Sequence, residues 1–119
     1  MQLRCGSRSR QYRVLPDEDR TLVVILTIRP GALEAFRAFE QAAARVMARH
    51  WGAIERTVAI PPAGRGAAPK KMHVVTIPSP EAFAAYRADP ALLALALQRE
   101  ASVLAAEILV GDERPTYRE

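Results

Sequence analysis

Apolar positions in the first half of the chain predict a buried strand followed by a long helix. Residues 21–28 are apolar on both alternating faces, so both sides of this strand must be covered, because a half-exposed strand alternates between apolar and polar residues. After a breaker at 29–31, apolar residues in 33–50 recur at helical spacing with charged residues largely opposite, which predicts an amphipathic helix. We expect it to end at Gly52, where glycine supplies the left-handed backbone that commonly follows a helix.

The middle of the chain predicts a hairpin. Residues 53–60 alternate, with Ile54, Arg56, Val58 and Ile60 on one face and a more polar set on the other, which is typical of a strand with one exposed face. The proline- and glycine-rich segment 61–71 is expected to be a long connection. The apolar run 72–77 then forms the second strand and ends before proline, which supplies no donor to a sheet.

A helix start follows this strand directly. Ser79-Pro80 places a capping residue before a proline at the first helical position, where the missing N–H costs nothing. Asp89-Pro90 repeats the pattern, so we expect the helix to be broken there into two segments. Helical spacing continues over residues 92–102, and residues 107–110 form a short final strand.

The order of these elements predicts an α+β ferredoxin-like βαββαβ fold. Such a fold packs two helices on one face of a four-stranded antiparallel sheet and leaves the other face without cover. That face is apolar in this chain, and an exposed apolar patch of that size requires a partner. We therefore expect a homodimer in which two sheets pack face to face and close into an α/β barrel.

Length and composition indicate one globular domain. The chain has 119 residues, 50% hydrophobic and 25% charged, and a chain of this size can bury a core. We place the domain at 21–111, between a flexible leader at 1–20 and a tail at 112–119. No apolar run approaches the ~20 residues of a membrane span and the leader lacks the apolar stretch of a signal peptide, so we expect a cytoplasmic protein without a membrane partner. The single cysteine, Cys5, excludes an internal disulfide.

The net charge of +4 does not follow a nucleic-acid-binding pattern. The positive surplus is divided evenly between residues 1–20 and the rest of the chain, where basic and acidic residues are scattered. A nucleic-acid groove requires clustered Lys and Arg with interleaved aromatic residues, so we expect no nucleic-acid partner. The arginines of the leader leave open a weaker hypothesis, in which this segment binds an acidic partner with salt-sensitive affinity.

Short motifs carry a resemblance to a known family. They are His50-Trp51-Gly52 after the first helix, Ile77-Pro78-Ser79 at a strand end, and Phe83, Tyr86, Pro90 and Arg99 along the following helix. Over residues 22–111 the chain resembles the domain of unknown function 1330 family, within the dimeric α/β-barrel superfamily, whose members usually have a second glycine where Trp51 stands. The superfamily includes quinone-forming and haem-degrading monooxygenases. In the haem-degrading branch, this resemblance implies an active site of asparagine, tryptophan and histidine. This sequence has no asparagine, which argues against haem degradation.

Five side chains are candidates for chemistry in a cleft between helices and sheet. A strand histidine near a helix-covered face can exchange a proton near neutral pH, so His73 is the catalytic candidate, with a hydrogen-bonded structural histidine as the alternative. Arg99 has apolar neighbours; if buried, it must pair with a carboxylate, such as Glu55 or Glu107, or bind an anionic ligand. The other ligand-binding candidates are Arg56, Tyr86 and Trp51. No residues have metal-ligand spacing, so neither a metal nor a cofactor is expected.

The sequence leaves several functions open and does not decide whether the protein is an enzyme. The first hypothesis is an uncharacterised homodimer with a small-molecule cleft near Arg56, His73, Tyr86 and Arg99. An enzymatic version is a cofactor-independent oxygenase or isomerase acting on a small aromatic or carbonyl compound, with His73 moving protons and Arg99 holding an anionic group. The other hypothesis is a non-catalytic ligand-binding or stress-response module.

Overall fold

The computed structural model describes residues 20–112 as four strands and four helices. In chain order these are β1 (Arg20–Ile28), α1 (Leu33–Ala48), β2 (Ala53–Ile60), β3 (Lys70–Ile77), α2 (Pro80–Ala88), α3 (Pro90–Leu93), α4 (Ala96–Ser102) and β4 (Val103–Gly111). The predicted leader, with Cys5 and most of its arginines, and nearly all of the predicted tail lie outside the described residues. No helix within 20–112 has the length and apolar character needed to cross a bilayer.

The strands form one antiparallel sheet in the order β2-β3-β1-β4. The central strands are therefore β1 and β3, which explains why both carry apolar residues on both faces. The helices pack on one side of the sheet, where Met47 of α1 meets Leu22 and Val75, and Phe36 meets Ile28. This arrangement confirms the predicted ferredoxin-like fold.

Strand register decides which side chains face the helices. In β1 the even-numbered residues do so, and Leu22 and Ile28 are fully buried. Leu22 pairs with Val75 and Val24 pairs with His73. His73 therefore lies on the helix-covered side of the sheet.

Capping residues divide the second helical region. Ser79 Oγ accepts a hydrogen bond from the Ala82 N–H at 3.0 Å, and Asp89 Oδ1 accepts one from the Ala91 N–H at 2.8 Å. The predicted break at Asp89 is present, and a further break at Leu95 separates α3 from α4. The last strand begins at residue 103 and not at residue 107, because it pairs with β1 along nearly its whole length.

The side of the sheet that faces away from the helices, the outer face, carries a set of apolar residues. They are Val23, Ile25, Val58, Ile60, Met72, Val74 and Leu109. Three of them, on β2 and β4, are exposed. The outer face is therefore apolar, as the pattern of β1 predicts.

A β-bulge changes the two faces predicted for β2. The register shifts between Ile54 and Arg56, so two consecutive residues of the strand lie on the same side. Ile54 and Thr57 face the helices, whereas Arg56 and Val58 lie on the outer face. The prediction that Ile54 and Val58 share a face is wrong for this reason.

Candidate functional site

The helices leave β4 uncovered on the side of the sheet against which they pack. Val110 and Ile108 pair with Leu22 and Val24, so both point to the helix side, yet they are 61% and 42% exposed. Leu22 itself is only 1% exposed, which means that the helical cover ends between β1 and β4. We call the resulting open apolar surface the β4 trough.

Tyr86 of α2 lies on the helix side of the sheet, against β1, the strand with which β4 pairs. Its ring packs against the core cluster that contains Leu22 and stacks on Phe83, with the ring centroids 6.3 Å apart. Burial raises the pKa of the Tyr86 hydroxyl, and the charges of Arg87 and Arg99 oppose this effect without reversing it. The phenol is therefore protonated at neutral pH and can donate a hydrogen bond.

Arg99 is an exposed neighbour of Tyr86 in α4. Within residues 20–112 no carboxylate forms an ion pair with it, and Glu55 instead accepts a hydrogen bond from Thr76. The salt bridge with Glu55 or Glu107 is expected only if Arg99 is buried, and α4 instead presents Arg99 to solvent. An exposed guanidinium near a neutral phenol is suited to bind an anionic oxygen.

A polar clamp fixes α2, and with it Tyr86, against the end of α1. His50 Nε2 donates to Asp89 Oδ2 at 2.8 Å, and Arg49 Nη2 lies 3.6 Å from the same oxygen. The hydrogen bond from His50 lowers the pKa of Asp89, with a smaller contribution from the N–H of Ala91. The His50 ring also meets the Tyr86 ring edge-on, with the centroids 6.3 Å apart. The clamp therefore holds α2 and the Tyr86 ring in place on the helix side of the sheet.

The turn after α1 differs from the prediction. Trp51, and not Gly52, has the left-handed backbone, with φ of 61°. Glycine is required at position 52 for another reason, because a Cβ there would lie 2.6 Å from Met47 Cγ and 3.4 Å from Ile77 Cδ1. Trp51 is 79% exposed, so packing does not offset its backbone strain, and its ring forms no wall of the trough.

A second set of polar side chains lies under α1, towards β2. His73 lies between Thr57 and Glu40, with Thr57 Oγ1 2.9 Å from Nδ1 and Glu40 Oε2 2.7 Å from Nε2. Lys71 Nζ donates to Glu40 Oε1 at 3.0 Å. We call Thr57, His73, Glu40 and Lys71 the Glu40 network. Neither this network nor any other group of His, Cys, Asp and Glu in the described part of the chain could hold a metal ion.

The contacts of Glu40 lower the pKa of its carboxyl group. Burial by itself would raise the pKa of Glu40, but the hydrogen bonds and charges of His73 and Lys71 outweigh burial and lower it. Beside an ionised carboxylate, Nε2 of His73 carries a proton, which leaves Nδ1 as an acceptor for the Thr57 hydroxyl. This tautomer is assigned from the partners of the two ring nitrogens.

The structure divides the predicted cleft. Arg56 lies on the outer face, whereas its neighbour Thr57 pairs with His73 on the helix side. Tyr86 packs on the cluster that contains Leu22, and Arg99 is near enough for its charge to act on the Tyr86 hydroxyl. His73 also lies on the helix side, with Thr57 and Glu40 next to its two ring nitrogens. Arg56 therefore lies outside the predicted cleft.

The sequence interpretation missed three members of the Glu40 network. Glu40 follows Phe36 by one helical turn and stands at the border of the apolar stripe of α1, a position that signals partial burial. Thr57 and Lys71 carry no such signal. The bulge in β2 decides which side of the sheet Thr57 faces, and the alternation of the sequence does not reveal a bulge.

Comparison with known proteins identifies the fold but no family. No family model matches the sequence, and no curated protein is significantly similar to it. A Rhodopseudomonas palustris protein of unknown function superposes with a TM-score of 0.71 at 15% identity, covering 83% of this chain and 85% of that chain. For SnoaB, a cofactor-independent oxygenase from Streptomyces nogalater, the TM-score is 0.61 at 22% identity, with 86% and 99% covered.

A third neighbour, an antibiotic biosynthesis monooxygenase-like protein from Nitrosomonas europaea, has a TM-score of 0.62 at 10% identity, with 81% of this chain and 90% of that chain covered. These solved structures share the α+β ferredoxin-like fold with this chain. The resemblance to the domain of unknown function 1330 family is not confirmed, because no family model matches.

Proposed function

We propose that the protein binds a small aromatic or carbonyl compound in the β4 trough and oxidises it with O2 without a cofactor. The observation that carries this proposal is an exposed apolar strand, β4, on the same side of the sheet as a neutral phenol, Tyr86, near which lies a guanidinium, Arg99, that has no ion-pair partner among residues 20–112. An apolar surface with a few convergent polar groups is typical of a small-molecule site. The shared fold with SnoaB, a cofactor-independent oxygenase, supports the choice of chemistry.

Such chemistry requires a substrate that supplies its own electrons. The electron-rich form of an enolisable aromatic ketone is its enolate, which is formed when a methylene group conjugated with the carbonyl loses a proton to water. Tyr86 donates a hydrogen bond to the enolate oxygen, and Arg99 adds a positive charge, so the two residues stabilise the charge that develops. The methylene carbon then reacts with one O2, and the products are a second ketone and one water.

Isomerisation is the alternative outcome of the same first step. An isomerase forms the same enolate and returns the proton to a different carbon, so it needs the same two residues. In this proposal His73 does not take part in the oxygenation, because Thr57 and Glu40 occupy its ring nitrogens.

The apolar outer face supports a further part of the proposal, which is a homodimer formed through this face. In an isologous contact, the same apolar patch of the two protomers meets, so each copy covers the other. Val74 is at the centre of the face, so Val74→Asp is expected to shift the solution mass from dimer to monomer in light scattering, whereas Ala35→Asp on exposed α1 keeps the dimer. A wild-type protein that is monomeric at micromolar concentration would contradict this part.

The oxygenase proposal is tested with anthrone, an aromatic ketone that enolises readily. We expect the wild-type protein to consume one O2 for each anthraquinone formed. Tyr86→Phe and Arg99→Met are expected to lower kcat/KM by ~10-fold or more, since each removes a donor to the oxyanion. Arg37→Met, on the exposed surface of α1, is the matched control and should have the wild-type rate.

The result also decides between catalysis and binding. Saturable binding of anthrone that depends on Tyr86 and Arg99, without O2 uptake, would favour the non-catalytic ligand-binding or stress-response module. Absence of both binding and turnover would overturn the proposed site.

A further inference from the structure

We propose that Thr57, His73 and Glu40 form a second catalytic site, in which Thr57 is the nucleophile of acyl transfer from small activated esters. The inference does not rest on the oxygenase proposal, because it uses no residue of the β4 trough. It rests on the order of contacts from an exposed hydroxyl through a buried imidazole to a carboxylate.

The geometry is that of a nucleophile and its general base. Thr57 Oγ1 lies 2.9 Å from Nδ1 of His73, within the distance at which a base removes a hydroxyl proton. On the other side of the ring, Nε2 lies 2.7 Å from Glu40 Oε2. This contact orients the imidazole and stabilises the imidazolium that forms during attack. Such sites are identified by the roles and geometry of their residues, not by their order in the sequence.

The base and the nucleophile differ in their exposure to solvent. The His73 side chain is 6% exposed, so solvent does not compete for its nitrogens. Thr57 is exposed on β2, where a substrate can reach its hydroxyl. Because Thr57 points to the helix side of the sheet, it also remains accessible when a second copy covers the outer face. The base is thus protected and the nucleophile is open.

The position of β2 supplies hydrogen-bond donors for the oxyanion that forms during acyl transfer. β2 is at the edge of the sheet and, among the described residues, pairs with a strand only on its β3 side. An edge strand presents backbone N–H groups without ladder partners. Groups of this kind donate hydrogen bonds to the oxyanion of a tetrahedral intermediate.

The reaction has two balanced steps. Thr57 Oγ1 attacks the carbonyl of the ester or thioester while His73 Nδ1 accepts the hydroxyl proton; this proton then passes to the departing phenolate or thiolate, so the products are acyl-Thr57 and a free phenol or thiol. Water next attacks the acyl group with His73 again as the base. The second step releases the carboxylic acid and restores the Thr57 hydroxyl.

The surroundings of the nucleophile define the class of substrate. The next helix-side residue on β2 is Ala59, which is small and exposed, so the strand offers little surface to hold a large acyl group. We therefore expect short acyl groups on good leaving groups, such as aryl esters and thioesters. The secondary hydroxyl of threonine further restricts the reaction to activated esters.

The test is hydrolysis of p-nitrophenyl acetate by the purified full chain, together with mass spectrometry of the trapped acyl-protein. We expect one acetyl group on Thr57 and turnover that Thr57→Val lowers at least tenfold, while Thr57→Ser retains it. Glu40→Gln is expected to lower kcat and leave KM unchanged, because Glu40 orients the base and does not contact the substrate. The matched control is Thr27→Val, which removes an exposed hydroxyl hydrogen-bonded to Lys70 and should have no effect.

Two results would overturn the proposal. One is wild-type turnover by Thr57→Val, with the variant shown by its unchanged melting temperature to be folded. The other is acetylation of lysine alone, with none on Thr57. The Thr57→Ser variant distinguishes a nucleophile from a structural hydroxyl. Only a nucleophile at position 57 would become acetylated in this variant.

Discussion

The two edges of the sheet differ on the side that faces the helices. Under α1, towards β2, polar side chains are drawn together and neutralise one another, whereas along β4 apolar side chains lie open to solvent. Buried charges must be paired, and Lys71 and His73 both lie within ion-pair distance of Glu40. Exposed apolar surface, by contrast, is stabilised when another molecule removes it from water. The polar side chains therefore find partners within the protomer, whereas the apolar side chains of β4 remain exposed among residues 20–112.

The largest expected difference between the two edges is in stability. Glu40→Gln leaves the buried Lys71 and His73 without their carboxylate, so we expect the free energy of unfolding to fall by ~2 kcal/mol. Ile108→Ala in the β4 trough removes a side chain that is already half exposed, and we expect a loss of less than ~1 kcal/mol. Urea denaturation of both variants at one protein concentration measures the difference, and equal losses would contradict it.

The pH dependence of stability separates the same two regions. The pKa of Glu40 is lowered from 4.5, so its stabilising contribution is present above about pH 4.5 and is lost as the pH falls through the folded-state pKa. The pKa of Tyr86 is raised from 10.0, so the folded state keeps a proton that the unfolded chain releases. Stability therefore falls as the pH rises past about 10.

Two variants show which residue causes the loss of stability in acid and which causes the loss in alkali. In melting curves measured across the pH range, Glu40→Gln is expected to reduce the acid dependence, part of which Asp89 retains because its pKa is also lowered. Tyr86→Phe is expected to reduce the alkaline dependence only. If substitution of Glu40 also changed the loss of stability at alkaline pH, the two edges of the sheet would not be energetically independent.

How much the sequence could predict differs between the fold and the sites. Alternation, helical spacing and the caps at Ser79 and Asp89 are local signals, so they predicted the element order and most of the boundaries. The contents of the sites depend on contacts between distant residues. The bulge that turns Thr57 inward and Arg56 outward, and the path of α4 that exposes Arg99, have no local signal. For this reason Arg56 does not lie in the predicted cleft, and Glu40 and Thr57 were not predicted, although the fold was confirmed.

The smallest expected effect is at the turn between α1 and β2. Trp51 has a left-handed backbone, which glycine adopts without strain, and its exposed ring contributes little packing. We therefore expect Trp51→Gly to be more stable than Trp51→Ala by ~1 kcal/mol, since both variants lack the ring and only alanine keeps the strain. Thermal unfolding of the two variants measures this, and a less stable glycine variant would show that the turn is not strained.

Occupancy of the β4 trough is tested most directly by the pKa of bound naphthol, a small phenol whose protonation state is read from its absorbance. We expect the wild-type protein to lower this pKa, because Arg99 and Tyr86 favour the naphtholate. Arg99→Met should abolish the shift and Arg37→Met should retain it. A shift that is unchanged in Arg99→Met, or naphthol that does not bind at all, would contradict the assignment of the trough.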